Sequence, residues 1–142
     1  EAEFIDIKLF NSKNALSEVI FVGELVSVQL TVRINRDIKS LVLGLGIKDR
    51  FGEMMFGTNT FNKKQMILKP KEGDEYLFDV TFLANLGVGS YTINASLVEE
   101  RTHIHKNFNW IDRAYVFNVV NKDKYEFVGS QWNEMNFKIN KI

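Results

Sequence analysis

The 142-residue sequence has no cysteine, a single proline and no surplus of either charge, with 18 Lys and Arg against 18 Asp and Glu. Without cysteine there is no disulfide framework, no thiol nucleophile and no thiolate metal ligand. The same absence suits a reducing compartment without requiring one. Balanced charge, with no block of five like charges, argues against a nucleic-acid or anionic-membrane binder, because such proteins displace counterions with excess Lys and Arg. Apolar runs are short: Val19 to Val22 and Leu41 to Leu45 fall far below the roughly 20 residues of a membrane span. No signal-peptide pattern is visible. Glu1 standing where an initiator Met would be reads as a piece of a longer chain.

What the sequence does have is 45% apolar residues, 13% of the chain being aromatic. A chain this long can bury roughly 68% of its unfolded surface, enough for one domain over residues 1–142 without a staple. The dominant pattern is period two, the signature of strands with one wet face. Ile5, Ile7 and Leu9 alternate with Asp6 and Lys8, and Val26, Val28, Leu30, Val32 and Ile34 alternate with Ser27, Gln29, Thr31 and Arg33. The rhythm returns at Leu41 to Ile47, at Tyr76 to Phe82, at Tyr91 to Leu97 against Thr92, Asn94 and Ser96, and at Ala114 to Val120. Turn-forming clusters separate these runs at Asn11 to Asn14, Asn35 to Asp37, Asp49 to Gly52, Lys69 to Asp74 and Gly87 to Ser90. Only Leu83 to Leu86 reads as a helical turn. The pattern predicts an all-β sandwich of two antiparallel sheets in preference to a barrel. The sandwich should occupy residues 1–122. Residues 123–142 are more polar, yet Trp132, Phe137 and Ile139 are too apolar for a free tail and should dock on this chain or on a second copy.

Most catalytic motifs are missing. Gly52 to Gly57 has the glycine spacing of a P-loop but continues into Thr58 instead of Lys, and Gly44-Leu45-Gly46 lies in a strand pattern with no helix after it. No Ser sits in a G-x-S-x-G elbow. Glu99 and Glu100 are adjacent in a strand pattern, so they point to opposite faces and cannot flank one bond. His103 and His105 share a face and could hold a metal if Asp112 or Glu99 supplied a third ligand. Hydrogen-bonded polar histidines are the more economical reading, because that two-residue spacing often arises by chance. No cofactor is implied.

The stretch Arg101 to Arg113 interleaves His103, His105, Asn109, Trp110, Asp112 and Arg113. A saccharide suits this mixture: its C–H face stacks on an indole, and its hydroxyls need paired donors and acceptors. The alternative is that Trp110 and Phe108 plug one end of the sandwich while the charged groups are merely wet. Gly44 and Gly46, with Val42 and Lys48, form the outward positions of one strand. Two of those four carry no side chain, which gives either a bare strip for ligand approach or a bend.

The runs Gly46-Ile-Lys-Asp-Arg-Phe-Gly52, Phe56-Gly-Thr-Asn-Thr60, Leu86-Gly-Val-Gly-Ser-Tyr91, Thr102-His103 with Trp110-x-Asp112, and Phe117-Asn-Val119 together resemble the C-terminal domain of Wzt proteins. These are ATP-binding subunits of the ABC transporters that export O-antigen polysaccharide. The resemblance spans nearly the whole chain. It implies an immunoglobulin-like sandwich that acts as a non-catalytic carbohydrate-binding module, reading the finished, terminally modified end of a lipid-linked glycan. It further implies a site on the cytoplasmic face of a Gram-negative inner membrane, partnership with an ATPase domain of the same polypeptide and a transmembrane transporter subunit, and a homodimer in which a C-terminal strand crosses to the partner. Thr58, Asn59 and Thr60 then read as turn-locking residues sooner than sugar contacts. His103, Trp110 and Asp112 could fasten a loop, with Asp112 accepting from His103 or Arg113. Arg50, Arg101 and Arg113 are candidates to meet an anionic cap. Two readings from other classes stand beside this one: a structural or adhesive sandwich of a surface protein, and a metal-dependent carbohydrate enzyme built on His103 and His105.

Overall fold

Every regular element of the described chain, residues 1–100 and 105–142 of a computed structural model, is a β-strand. In order these are β1 (Ala2–Phe10), β2 (Val19–Phe21), β3 (Leu25–Ile34), β4 (Ser40–Asp49), β5 (Met54–Asn59), β6 (Ile67–Leu68), β7 (Glu75–Leu83), β8 (Gly89–Glu100) and β9 (His105–Val120). They form two layers. One sheet has the order β1-β3-β7; the other runs β2-β9-β8-β4-β5, with β6 added along β4. Pairing is antiparallel except between β2 and β9, where Val19 to Phe21 run parallel to Asn118 to Val120.

The period-two pattern explains the packing. In β3 the even-numbered Val26, Val28, Leu30, Val32 and Ile34 are at most 1% exposed, and they face Leu41, Ile93, Leu97 and Phe117 of the larger sheet. Each such side chain contributes about 1.5–3 kcal/mol relative to leaving it in water. The inward residues of β7, Tyr76, Phe78, Val80 and Phe82, are only half-buried. They stand on an edge strand opposite the far edge of the other sheet, and the layers leave a groove of about 1010 Å³ between them, lined by Leu45, Phe56, Phe78, Val80 and Phe82.

The fold is the all-β sandwich that the alternation predicts, of the immunoglobulin-like kind that the resemblance implies. Two local expectations change, and a strand is added to those the pattern showed. Leu83 to Leu86 forms no helical turn: Leu83 ends β7, the Ala84 N–H donates to the Glu24 carbonyl at 2.8 Å, and Leu86 bridges to Gln131. Distant backbone pairs both peptide groups of Ala84 and the Asn85 carbonyl, while the Asn85 N–H donates to the Leu83 carbonyl at 2.8 Å in a tighter turn than a helix makes. Met54–Asn59, which contains the strand-poor residues Gly57 and Asn59, is a strand because β4 supplies its ladder from Gly44 to Lys48. Finally, β9 starts at His105, so most of the polar stretch before Ala114 lies within the sheet.

Beyond β9 the chain folds back over one end of the sandwich. The Trp132 N–H donates to the Asn85 carbonyl at 3.1 Å, and its indole packs against Tyr125 and Phe127 with ring centroids 4.8 and 5.0 Å away. Gly87 is needed here because a Cβ on it would lie 1.8 Å from the Gly129 carbonyl oxygen. Trp132 is thus buried within its own chain. Phe137 and Ile139 are not, being 82% and 90% exposed.

Candidate functional site

The candidate residues are placed by the ladder of the larger sheet. β4 turns Leu43, Leu45 and Ile47 inward, which leaves Gly44, Gly46 and Lys48 on the outer face. Their partners on β8 are Ser96, Asn94 and Thr92. Ser96 in turn pairs with Trp110 on β9. Gly44, Ser96 and Trp110 therefore form a row across three strands, and Gly46 with Asn94 begins the next.

Two irregularities in the β8–β9 ladder decide what β9 presents. Asn107 pairs with Val98 and Asn109 with Leu97, so Phe108 is an extra residue between them. This bulge turns Phe108 against the core while Trp110, only two residues further on, stays 58% exposed on the outer face. The plug reading thus describes Phe108 and not Trp110. A larger bulge follows, because Ala95 pairs with Ile111 but Ile93 with Tyr115, leaving Asp112, Arg113 and Ala114 opposite Asn94 alone. The bowed strand lets Asp112 reach across β8, where its Oδ1 accepts from Lys48 Nζ at 2.9 Å. Asp112 is 63% exposed, so this pair contributes at most about 1 kcal/mol of stability. Its main effect is to hold both groups at the rim of a hollow of about 200 Å³, lined also by Arg50, Ser90, Thr92 and Arg113.

The glycine strip is less bare than its composition suggests. A Cβ on Gly44 would lie 2.5 Å from Ser96 Oγ, and one on Gly46 would lie 2.6 Å from Asn94 Oδ1 and 3.0 Å from Met54 Sδ. These glycines therefore make room for the polar side chains of β8, which lean over the β4 backbone. Asn94 is 5% exposed, and among the described residues its Nδ2 finds no hydrogen-bond acceptor.

Trp110, Asp112, Lys48, Gly44, Gly46 and Arg113 are thus gathered on or beside one face. Asn109, opposite core-facing Leu97, takes the other face. Arg101 and His103 lie outside the described residues, and His105 is described by its backbone alone, as the first residue of β9. Among the described residues no three His, Asp or Glu side chains cluster as a metal site would require. Glu99 is 2% exposed on β8. The Gly-Thr-Asn-Thr run has a structural share: Asn59 Oδ1 accepts from the Asn62 N–H at 2.7 Å, and Thr60 Oγ1 accepts from the Leu43 N–H at 3.0 Å. Sequence reasoning missed Asn94, Ser96 and Met54. The first two were legible as the wet side of β8, but nothing local showed that the glycines lie beside them. Tyr91, on the inner side of β8, donates to the Gly87 carbonyl at 2.8 Å; burial, with Asp49 nearby, raises its pKa.

No helix among the described residues is long and apolar enough to cross a membrane. A solved structure of the C-terminal domain of Wzt is similar to this chain over 98% of its length and 84% of that chain, with a TM-score of 0.87 at 17% identity. Lower-scoring similarities are to a calcium-binding mutant of Bacteroides uniformis β-glucuronidase 2 and to Listeria innocua β-glucosidase in complex with gluconolactone. The first has a TM-score of 0.48 at 14% identity, over 73% of this chain and 12% of that one. The second has a TM-score of 0.44 at 11% identity, over 80% and 16%. No curated protein matches the chain. The fold agrees with the solved Wzt domain, and residues 1–132 match the family model described as the Wzt C-terminal domain; the chain belongs to that family.

Proposed function

We propose that this domain binds the terminal, modified end of a lipid-linked O-antigen polysaccharide without altering it, and so selects finished chains for an ABC exporter on the cytoplasmic face of the inner membrane. The observation that carries this reading is Trp110. A large aromatic left 58% exposed on a strand face, beside Ser96 and the Lys48–Asp112 pair, offers an apolar shelf with hydrogen-bonding groups around it. A sugar ring uses both. The neighbouring 200 Å³ hollow is smaller than pockets for drug-sized ligands, and suits one substituent of a chain end. Binding on such an open face should be shallow, about −4 to −8 kcal/mol, corresponding to millimolar to micromolar dissociation constants. Weak binding favours release after export. Family membership supports coupling to an ATPase domain of the same polypeptide and to a transmembrane subunit.

Titration calorimetry of the domain with delipidated O-polysaccharide from the source strain, and with the same polymer lacking its terminal group, tests the reading. Heat of binding with the first and none with the second is expected. Equal responses remove terminal recognition, and no response to either removes the function.

The domain as a whole, residues 1–142, further reads as a dimer in which residues 133–142 of each copy cross to the other. Support comes from the exposed Phe137 and Ile139 and from the apolar groove whose wall is the unpaired edge of β7. An added strand there would satisfy the open ladder and cover Phe56 and Phe78. Two linked binding faces would raise the apparent affinity for a membrane-held glycan without new contacts. Removing residues 133–142 should convert a dimer in sedimentation to a monomer; an unchanged mass refutes the exchange.

A further inference from the structure

We propose that Asn94 is the specificity-determining donor of the outer face, its side-chain amide reserved for a hydroxyl oxygen of the bound sugar. The inference rests on the saccharide-binding reading above and names an atom within it. Asn94 lies between two features that open space around it. On one side is Gly46, whose missing Cβ would sit 2.6 Å from Asn94 Oδ1 and 3.0 Å from Nδ2. On the other is the β9 bulge, where three residues stand opposite Asn94 alone. A regular ladder with any other residue at position 46 would leave this amide no room. The side chain accommodated there is nonetheless 95% removed from solvent, and Nδ2 has no acceptor among the described residues.

A buried donor left without an acceptor disfavours folding, and where a chain keeps one the group calls for an explanation. An apolar side chain of the same size would serve packing better. Several features describe a suitable acceptor. Asn94 is neutral, and Lys48 and Asp112 on its face are paired with each other, so its amide is matched to an uncharged oxygen. The site is too enclosed for a whole ring, so the acceptor must project from one, as a hydroxyl does. Trp110, beside the neighbouring Ser96, offers the surface on which that ring would lie. The group above Gly46 is Met54, whose Sδ lies 3.0 Å from the same missing Cβ. It is unbranched, 49% exposed and on the edge strand β5, so rotation of one flexible side chain gives access without moving backbone.

Because a site that recognises a hydroxyl through a buried donor rejects partners that cannot supply one, the effect of losing Asn94 should be large in binding and absent or opposite in stability. The test is Asn94→Leu in the full 142-residue domain, with affinity for delipidated source-strain O-polysaccharide measured by calorimetry and the melting temperature measured alongside. At least a 10-fold loss of affinity with an unchanged or raised melting temperature is expected. A structural residue would show the reverse, with lowered melting temperature and retained affinity, and that result overturns the proposal. A second readout needs no variant: the Asn94 side-chain amide resonances of ¹⁵N-labelled wild-type protein should shift on addition of the polysaccharide, and unshifted resonances at saturation overturn it equally. If wild-type protein fails to bind the polysaccharide at all, the saccharide reading falls and this inference with it; if wild type binds and Asn94 is indifferent, only the inference falls.

Discussion

Trp110→Ala separates recognition from folding because of where the fold leaves the indole. A tryptophan sealed in the core would cost about 3–5 kcal/mol on truncation, and the loss of structure would mimic a loss of binding. Trp110 is instead 58% exposed. If a whole indole can bury roughly 250 Å², about 145 Å² of it remains open, and a pyranose face covering half of that removes some 70 Å² from water. At about 25 cal/mol per Å² that contact is worth about 1.8 kcal/mol, or roughly a 20-fold change in dissociation constant. The cost in stability comes only from the smaller, already buried part of the ring. It should be about 2–3 kcal/mol, a fall of roughly 7–10 °C in melting temperature for a domain of this size. Calorimetric titration of both proteins with source-strain O-polysaccharide, well below the variant's melting temperature, is the assay. A variant that remains folded and binds as tightly as wild type refutes the placement of the shelf.

Other perturbations read other parts of the structure. Phe117 is wholly buried and stacked on Tyr91 with centroids 5.8 Å apart, so Phe117→Ala should cost about 3–5 kcal/mol in denaturant unfolding. Gly44→Val should destabilise by about 1–3 kcal/mol, because its Cβ would meet Ser96 Oγ at 2.5 Å; the variant's melting curve checks this. Glu24 predicts a pH dependence. Burial raises the pKa of its carboxyl, but hydrogen bonds from the Phe21 N–H and from Ser12, with the charge of Lys122, outweigh burial and leave it below its ordinary value. Its contribution is therefore complete above the unfolded-state pKa and is lost as pH falls through the lower folded value. Wild type should lose more stability than Glu24→Gln on acidification below about pH 4.5, and parallel curves refute the assignment.

The strands were legible because each of them must keep one face dry. Val26 to Ile34 shows this most cleanly, every second residue being an aliphatic that ends in the core. What could not be read was pairing. Ser96 and Gly44 are 52 positions apart, and only the β4–β8 register makes them neighbours. The face of Trp110 was equally hidden, since Phe108 shares its parity and a strict alternation would send both the same way. An extra residue in the ladder separates them, and bulges leave little trace in composition. The run from His105 to Arg113 looked like a loop for a related reason: its side chains are mostly polar, while its backbone is sheet. The tail followed its own logic. Trp132 found cover in its chain, whereas Phe137 and Ile139 did not.

The parallel contact between β2 and β9 carries a consequence for how the protein comes into being. Val19 to Phe21 acquire their partners only when Asn118 to Val120 exist, so a residue made early waits for one made about 100 positions later. During synthesis the larger layer stays unfinished until Asn118 to Val120 have left the ribosome. Closing so long a loop is slow, and spontaneous refolding should take milliseconds to seconds where a helical bundle of equal length would need far less.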